Sequence, residues 1–94
     1  FNVYLYDGPH SFQDQYDGLR IAMPALAHAW VQIVVDWNWP KVREGTWAAL
    51  KDSHVEVLYS IEIRTTQTGA HADVGFQGSD WHNGYLLAAC RKLA

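Results

Sequence analysis

The sequence predicts an α/β domain with element order β-α-β-α-β-β, a mostly parallel sheet and a final antiparallel strand. Three observations carry that expectation. Apolar runs too short for a membrane span, Phe1–Tyr6 and Trp30–Val35, alternate with stretches of looser helical spacing. Strands that alternate with helices imply crossover connections and parallel neighbours. The last two strand-like runs have only a polar, glycine-bearing loop between them, so they are expected to pair antiparallel. The chain has 94 residues, 49% hydrophobic and 14% aromatic, which suits a single domain spanning 1–94 and argues against disorder.

Phe1–Tyr6 is almost unbroken by polar residues and reads as a strand buried on both faces. Asp7-Gly8-Pro9-His10 ends it in a turn, and Ser11 supplies a helix cap with Asp14 in the first turn. Pro24 breaks that helix near Met23, with a second turn expected over 25–27. Trp30–Val35 is the second buried strand, closed by Asp36-Trp37-Asn38-Trp39-Pro40. The next helix runs from Lys41 to Asp52 with Val42, Trp47 and Leu50 on one side, and Gly45 is expected to weaken it by roughly 1 kcal/mol relative to Ala. Val55–Arg64 is a long strand on which Glu56, Glu62 and Arg64 are expected to share an exposed face. A polar loop over Thr65–Trp81 leads to the last strand, Gly84–Arg91.

Charge narrows the function. Seven basic against ten acidic residues give a net charge of −3, with no basic stripe. That balance speaks against binding nucleic-acid phosphates and against docking on an anionic membrane. The lone Cys90, in an apolar strand, excludes an intramolecular disulfide framework and a multi-thiolate zinc site. It reads as a buried, inert thiol and suits a cytoplasmic setting. His54, His71 and His82 lack a metal-ligand spacing.

Three patches carry a family resemblance: Tyr6-Asp7-Gly8-Pro9-His10-Ser11, Val34-Val35-Asp36-Trp37-Asn38-Trp39, and Asp80-Trp81-His82-Asn83-Gly84-Tyr85. In this order at the predicted strand ends, they resemble the C-terminal half of a class I S-adenosylmethionine-dependent methyltransferase. The first patch is similar to the strand-end turn of the small-molecule methyltransferases. The resemblance implies a three-layer, Rossmann-like half domain that supplies the fourth to seventh strands of the family sheet. It implies transfer of a methyl group to a small-molecule acceptor, with His10 as general base and Asp7 and Asp36 as ligands of a divalent metal such as Mg²⁺. Trp37, Asn38 and Trp39 are then candidate substrate contacts. Where metal-binding relatives carry two adjacent acids, this chain has Val35-Asp36.

The chain has no Gly-rich turn between a strand and a helix; Gly69, Gly75 and Gly78 all fall in the late loop. The family cradles its cofactor on such a turn, where backbone approaches the ligand unhindered. S-adenosylmethionine is therefore expected only in an intact parent, of which this chain is expected to be a fragment without activity of its own. The alternative expectation is a non-catalytic half domain. A central-type strand at Phe1–Tyr6 with nothing before it leaves an open edge. That edge predicts a homodimer through Phe1–Tyr6, or through a swapped C-terminal hairpin.

Overall fold

The computed structural model describes residues 1–66 and 83–93. Strand β1 (Val3–Tyr6) is followed by helix α1 (Phe12–Ala22), and β2 (Ala29–Val35) by helix α2 (Pro40–Asp52); β3 (Val55–Ile63) and β4 (Tyr85–Lys92) complete the chain. The element order is the one the sequence predicts. The strands form one mixed sheet in the order β1-β2-β4-β3. The β1–β2 ladder is parallel, and β4 is antiparallel to both β2 and β3. It follows that β1, β2 and β3 all run in one direction. The expected mostly parallel sheet is corrected at the level of ladders, where one of the three is parallel. The reason is that β4 returns between β2 and β3 and separates two strands that would otherwise be parallel neighbours.

Local chemistry sets the helix ends. The Ser11 hydroxyl accepts the Asp14 N–H at 3.0 Å and donates to the Asp14 carboxylate at 2.6 Å. Pro24 ends α1 at Ala22, and the chain continues as a single 3₁₀ turn over Met23–Ala25, two residues earlier than expected. Pro40 opens α2 at its first turn, where a missing N–H costs nothing. His54, at φ 54°, turns the chain out of α2 in the left-handed conformation.

Both helices pack on the same face of the sheet and against each other. The expected three layers are therefore two among the described residues. The core joins Leu19 of α1 and Val42, Ala49 and Leu50 of α2 to Trp30, Val34, Leu86, Ala88 and Cys90 of the sheet. Phenol hydroxyls fasten β1 to α1: Tyr4 donates to the Gly18 carbonyl at 2.8 Å and Tyr6 to the Asp14 carbonyl at 2.9 Å. Gly18 lies under the Tyr6 ring, where a Cβ would collide with it. Gly45 is buried at the crossing of the helices, and a Cβ there would sit 2.5 Å from the Phe12 carbonyl oxygen. This glycine is a packing requirement as well as a propensity defect.

The opposite face of the sheet is apolar and open. Burial alternates along β2, with Trp30, Gln32 and Val34 buried and Val31 exposed. The register places Val3 and Leu5 of β1 beside Val31 and Ile33. Leu87 and Ala89 of β4 oppose Ile33 and Val31, and Ile61 and Tyr59 of β3 oppose Leu87 and Ala89. No described element covers this face. The sequence expectation that Phe1–Tyr6 is buried on both faces is corrected accordingly: Val3 and Leu5 are 54% and 56% exposed, and β1 is an edge strand.

A register shift between Val57 and Tyr59 also corrects the expected charged face of β3. The bulge changes the parity of the strand. Glu56 is placed with Arg91 on the open side, where the two form an ion pair, while Glu62 turns to the helix side and meets Trp37.

Candidate functional site

Three strands running the same way bring their carboxyl ends together, and in open α/β sheets that is where ligands bind. The turns at this end are Asp7–Ser11 after β1, Asp36–Trp39 after β2, Arg64–Thr66 after β3 and Asn83–Gly84 before β4.

His10 and Asp36 meet here. His10 Nε2 lies 2.9 Å from Asp36 Oδ2, with side chains 39% and 17% exposed. Two local features build the pair. His10 immediately precedes the α1 cap, so the Asp7-Gly8-Pro9 turn carries it over the end of β2. Asp36 adopts φ 59°, a left-handed conformation that Asp tolerates better than most residues. Its carbonyl accepts the Trp39 N–H at 3.2 Å, closing the turn. The Trp39 ring lies against the His10 imidazole at 4.4 Å between centroids and 34° between planes.

An ionised carboxylate only accepts, so Nε2 carries the shared proton, and in a neutral imidazole Nδ1 then keeps the lone pair. Asp36 thus orients the ring, and the Trp39 indole packs beside it. The arrangement can take a proton from a hydroxyl or amine of a bound molecule.

The other predicted contacts fall into two groups. Trp39 is half-buried and borders the pair. Trp37 and Asn38 are fully buried and present no surface to a ligand, which redirects the expectation of substrate contact. Trp37 Nε1 donates to Glu62 at 2.9 Å, and its ring meets Trp47 edge-on at 5.6 Å. Asn38 binds the strand ends together. Its Nδ2 donates to Thr65 Oγ1 at 2.7 Å, its Oδ1 accepts the Thr65 N–H at 2.8 Å, and its N–H donates to the Asn83 carbonyl at 2.8 Å. Arg43 Nη1 bonds the carbonyls of Trp37 and Asn38 at 2.8 and 2.7 Å. Burial, then Arg64 nearby, lowers the Arg43 pKa. Gly84, at φ 91°, leaves room beside Asn38 that a side chain would fill. Sequence reasoning missed Arg43 and Thr65; an Asn between two tryptophans at a strand end was the available signal for such a tie.

Asp7 is exposed at the end of β1. No group of three or more His, Cys, Asp or Glu assembles to hold a metal among the described residues. Asp36 Oδ2 is also committed to His10. The described donor set is thus short of the oxygen ligands a hard cation requires. Nor do the described glycines form a cofactor cradle: Gly8 and Gly18 accommodate Tyr6, Gly45 the helix crossing and Gly84 the Asn38 tie. Cys90 is buried, with its thiol pushed up to about 11 by burial, so it is no nucleophile at neutral pH. The predicted positions His71, Trp81 and His82 lie outside the described residues.

No helix among the described residues is long and apolar enough to cross a membrane. No family model, curated protein or solved structure matches the chain.

Proposed function

We propose that this chain is the C-terminal part of a class I S-adenosylmethionine-dependent methyltransferase acting on a small molecule, with the acceptor side of the reaction built on His10 and Asp36. The observation that carries the reading is the His10–Asp36 hydrogen bond at the carboxyl ends of adjacent parallel strands. A final antiparallel strand, as the resemblance implies, supports it. The methyl donor would be supplied by a longer parent chain, since the described residues have no cradle for it.

In this reading His10 Nδ1 takes the proton from an acceptor O–H or N–H. Asp36 holds the ring in the competent tautomer, and Trp39 forms one wall of the acceptor site. Small-molecule substrates suit a site with an aromatic wall and a few convergent polar groups. The isolated chain is inactive.

Calorimetric titration of the 94-residue chain with S-adenosylmethionine, with and without Mg²⁺, is expected to give no heat of binding at millimolar ligand. A parent chain extended on the N-terminal side is expected to bind the cofactor and to lose methyl transfer by roughly 10²–10⁴-fold in His10→Ala. A parent that binds the cofactor yet keeps full activity in His10→Ala refutes the role given to His10. A parent that binds no cofactor refutes the family.

One observation favours a second reading, a non-catalytic half domain that dimerises. The β1 edge is free of a described partner strand. Beside it lies an apolar groove of about 300 Å³ lined by Phe1, Val3, Tyr4, Ala22, Ala25 and Leu26. Pairing of two Phe1–Tyr6 segments would occupy that edge, and exchange of the C-terminal β3–β4 unit against β2 is another route to a dimer. Sedimentation equilibrium reads this directly, because a chain that stays monomeric at high concentration has no such pairing.

A further inference from the structure

We propose that Gln15 is the positioning residue of the His10–Asp36 pair: its side-chain amide holds the turn that carries His10. The proposal rests on the reading of that pair as the acceptor side of the site, and its first test needs no activity. Gln15 Nε2 donates to the Pro9 carbonyl at 2.7 Å. That carbonyl belongs to the peptide unit that enters His10. A peptide unit is planar, so fixing the direction of its C=O also fixes the N–H and Cα on the His10 side. The chain after His10 is held as well, because Ser11 caps α1. With both flanks held, the His10 side chain is aimed at Asp36, which it meets at 2.9 Å.

The place of Gln15 in the fold suits this role. Side chains in a helix lean toward its N-terminus, so a residue near the start of α1 reaches back past the cap. Gln15 is 3% exposed, and α2 packs directly on it: a Cβ at Gly45 would sit 2.8 Å from the Gln15 Cβ. Helix α2 starts at Pro40, directly after the Asp36–Trp39 turn. The contact that confines Gln15 therefore ties the loop bearing His10 to the helix that follows Asp36 and Trp39.

Stability gives no reason for an amide at this position. Gln15 Oε1 is buried with no hydrogen-bond partner among the described residues. A buried, unpaired acceptor forfeits its hydration. Pro9 is exposed, so water can replace the amide at its carbonyl. Methionine, unbranched and of similar volume, would fill the space of Gln15 without burying an unpaired oxygen. What only the amide supplies is the bond to the His10 turn.

NMR of the 94-residue chain tests this by reading the ring-current shift that Trp39 imposes on the His10 ring protons, with urea midpoints alongside. Trp39→Leu sets the zero of that shift. Gln15→Met is expected to lose more than half of the shift while its urea midpoint stays at or above that of the unsubstituted chain. A residue that merely fills the core would do the opposite. A retained shift overturns the proposal, and so does a lowered midpoint, which would make Gln15 a structural residue. Should Gln15→Met not fold, Gln15→Asn, whose amide is one methylene short of Pro9, is expected to lose the same shift, and its retention there overturns the proposal. In a parent chain that binds the cofactor, Gln15→Met is expected to lower kcat about 10–100-fold with KM for the acceptor little changed. An unchanged kcat there, with His10→Ala impaired, overturns the positioning role. An unchanged kcat in both variants instead refutes the role given to His10.

Discussion

On the helix side of the sheet Trp30, Val34, Leu86 and Cys90 are at most 3% exposed. On the opposite face of the sheet, Val31 of β2, Ile61 of β3 and Leu5 of β1 are 39%, 45% and 56% exposed. The side chains are of one chemical class; what differs is the layer above them. Two helices of the chain's own cover the first face, and no described element covers the second. An apolar strand therefore states that both of its faces require cover, without stating what provides it.

The largest expected contrast comes from truncation. Leu50→Ala or Leu86→Ala removes a fully packed side chain and is expected to cost about 2–5 kcal/mol. Ile61→Ala, measured at concentrations where the chain is monomeric, is expected to cost under about 1 kcal/mol, since little packing is lost (surface substitutions seldom exceed about 0.5 kcal/mol). Urea unfolding midpoints at low protein concentration check the pair. Equal losses on the two faces would mean that the open face is covered within one chain.

Gly45→Ala sharpens the same comparison inside the covered layer. Helix propensity alone forecasts a gain of roughly 1 kcal/mol. The approach of Phe12 forecasts a loss of about 1–3 kcal/mol from overpacking. A lower thermal midpoint is the expected outcome, and a higher one would show that the helices do not cross at this residue.

Trp37→Phe keeps the ring and removes the indole N–H that reaches Glu62. The expected loss is about 1 kcal/mol, because Glu62 at the open end of β3 regains water. A loss of several kcal/mol would show that the ion–indole contact is sealed from solvent.

A further effect is confined to alkaline pH. Burial raises the Cys90 thiol to about 11 and also raises the Tyr4 phenol. A raised acid binds its proton more tightly in the folded state. Its contribution is complete below the ordinary thiol value, near 9, and is lost as pH climbs from there toward 11. Cys90→Ala is expected to flatten the fall in stability over that window, as read by urea midpoints from pH 8 to pH 11. The native thiol is also expected to resist alkylation by iodoacetamide at pH 8.5 until the chain is unfolded (an exposed thiol, with a pKa near 8.5, reacts readily there).

Much of the architecture was legible residue by residue. The turn at Asp7–His10, the Ser11 cap, the Pro24 break and the element order are short-range chemistry, fixed by side chains within a few residues of one another. The ends of the strands were legible as a candidate site for the same reason, and His10 and Asp36 do meet there. Trp37 and Asn38 were read as substrate contacts because an aromatic or amide at a strand end looks alike whether it faces a ligand or a neighbouring turn. Only their distant partners, Glu62 and Thr65, distinguish the two.

The sequence by itself determined that this chain is an alternating α/β structure with largely apolar strands, because local propensity, turn residues and the spacing of apolar side chains are properties of neighbours along the chain. Tertiary structure alone decided that β4 enters between β2 and β3, that both helices settle on one face, and that the bulge after Val57 turns Glu62 toward Trp37. Those outcomes depend on strand register and on which surfaces meet. Both are settled by packing between residues far apart in the chain, such as Trp30 with Cys90 and His10 with Asp36.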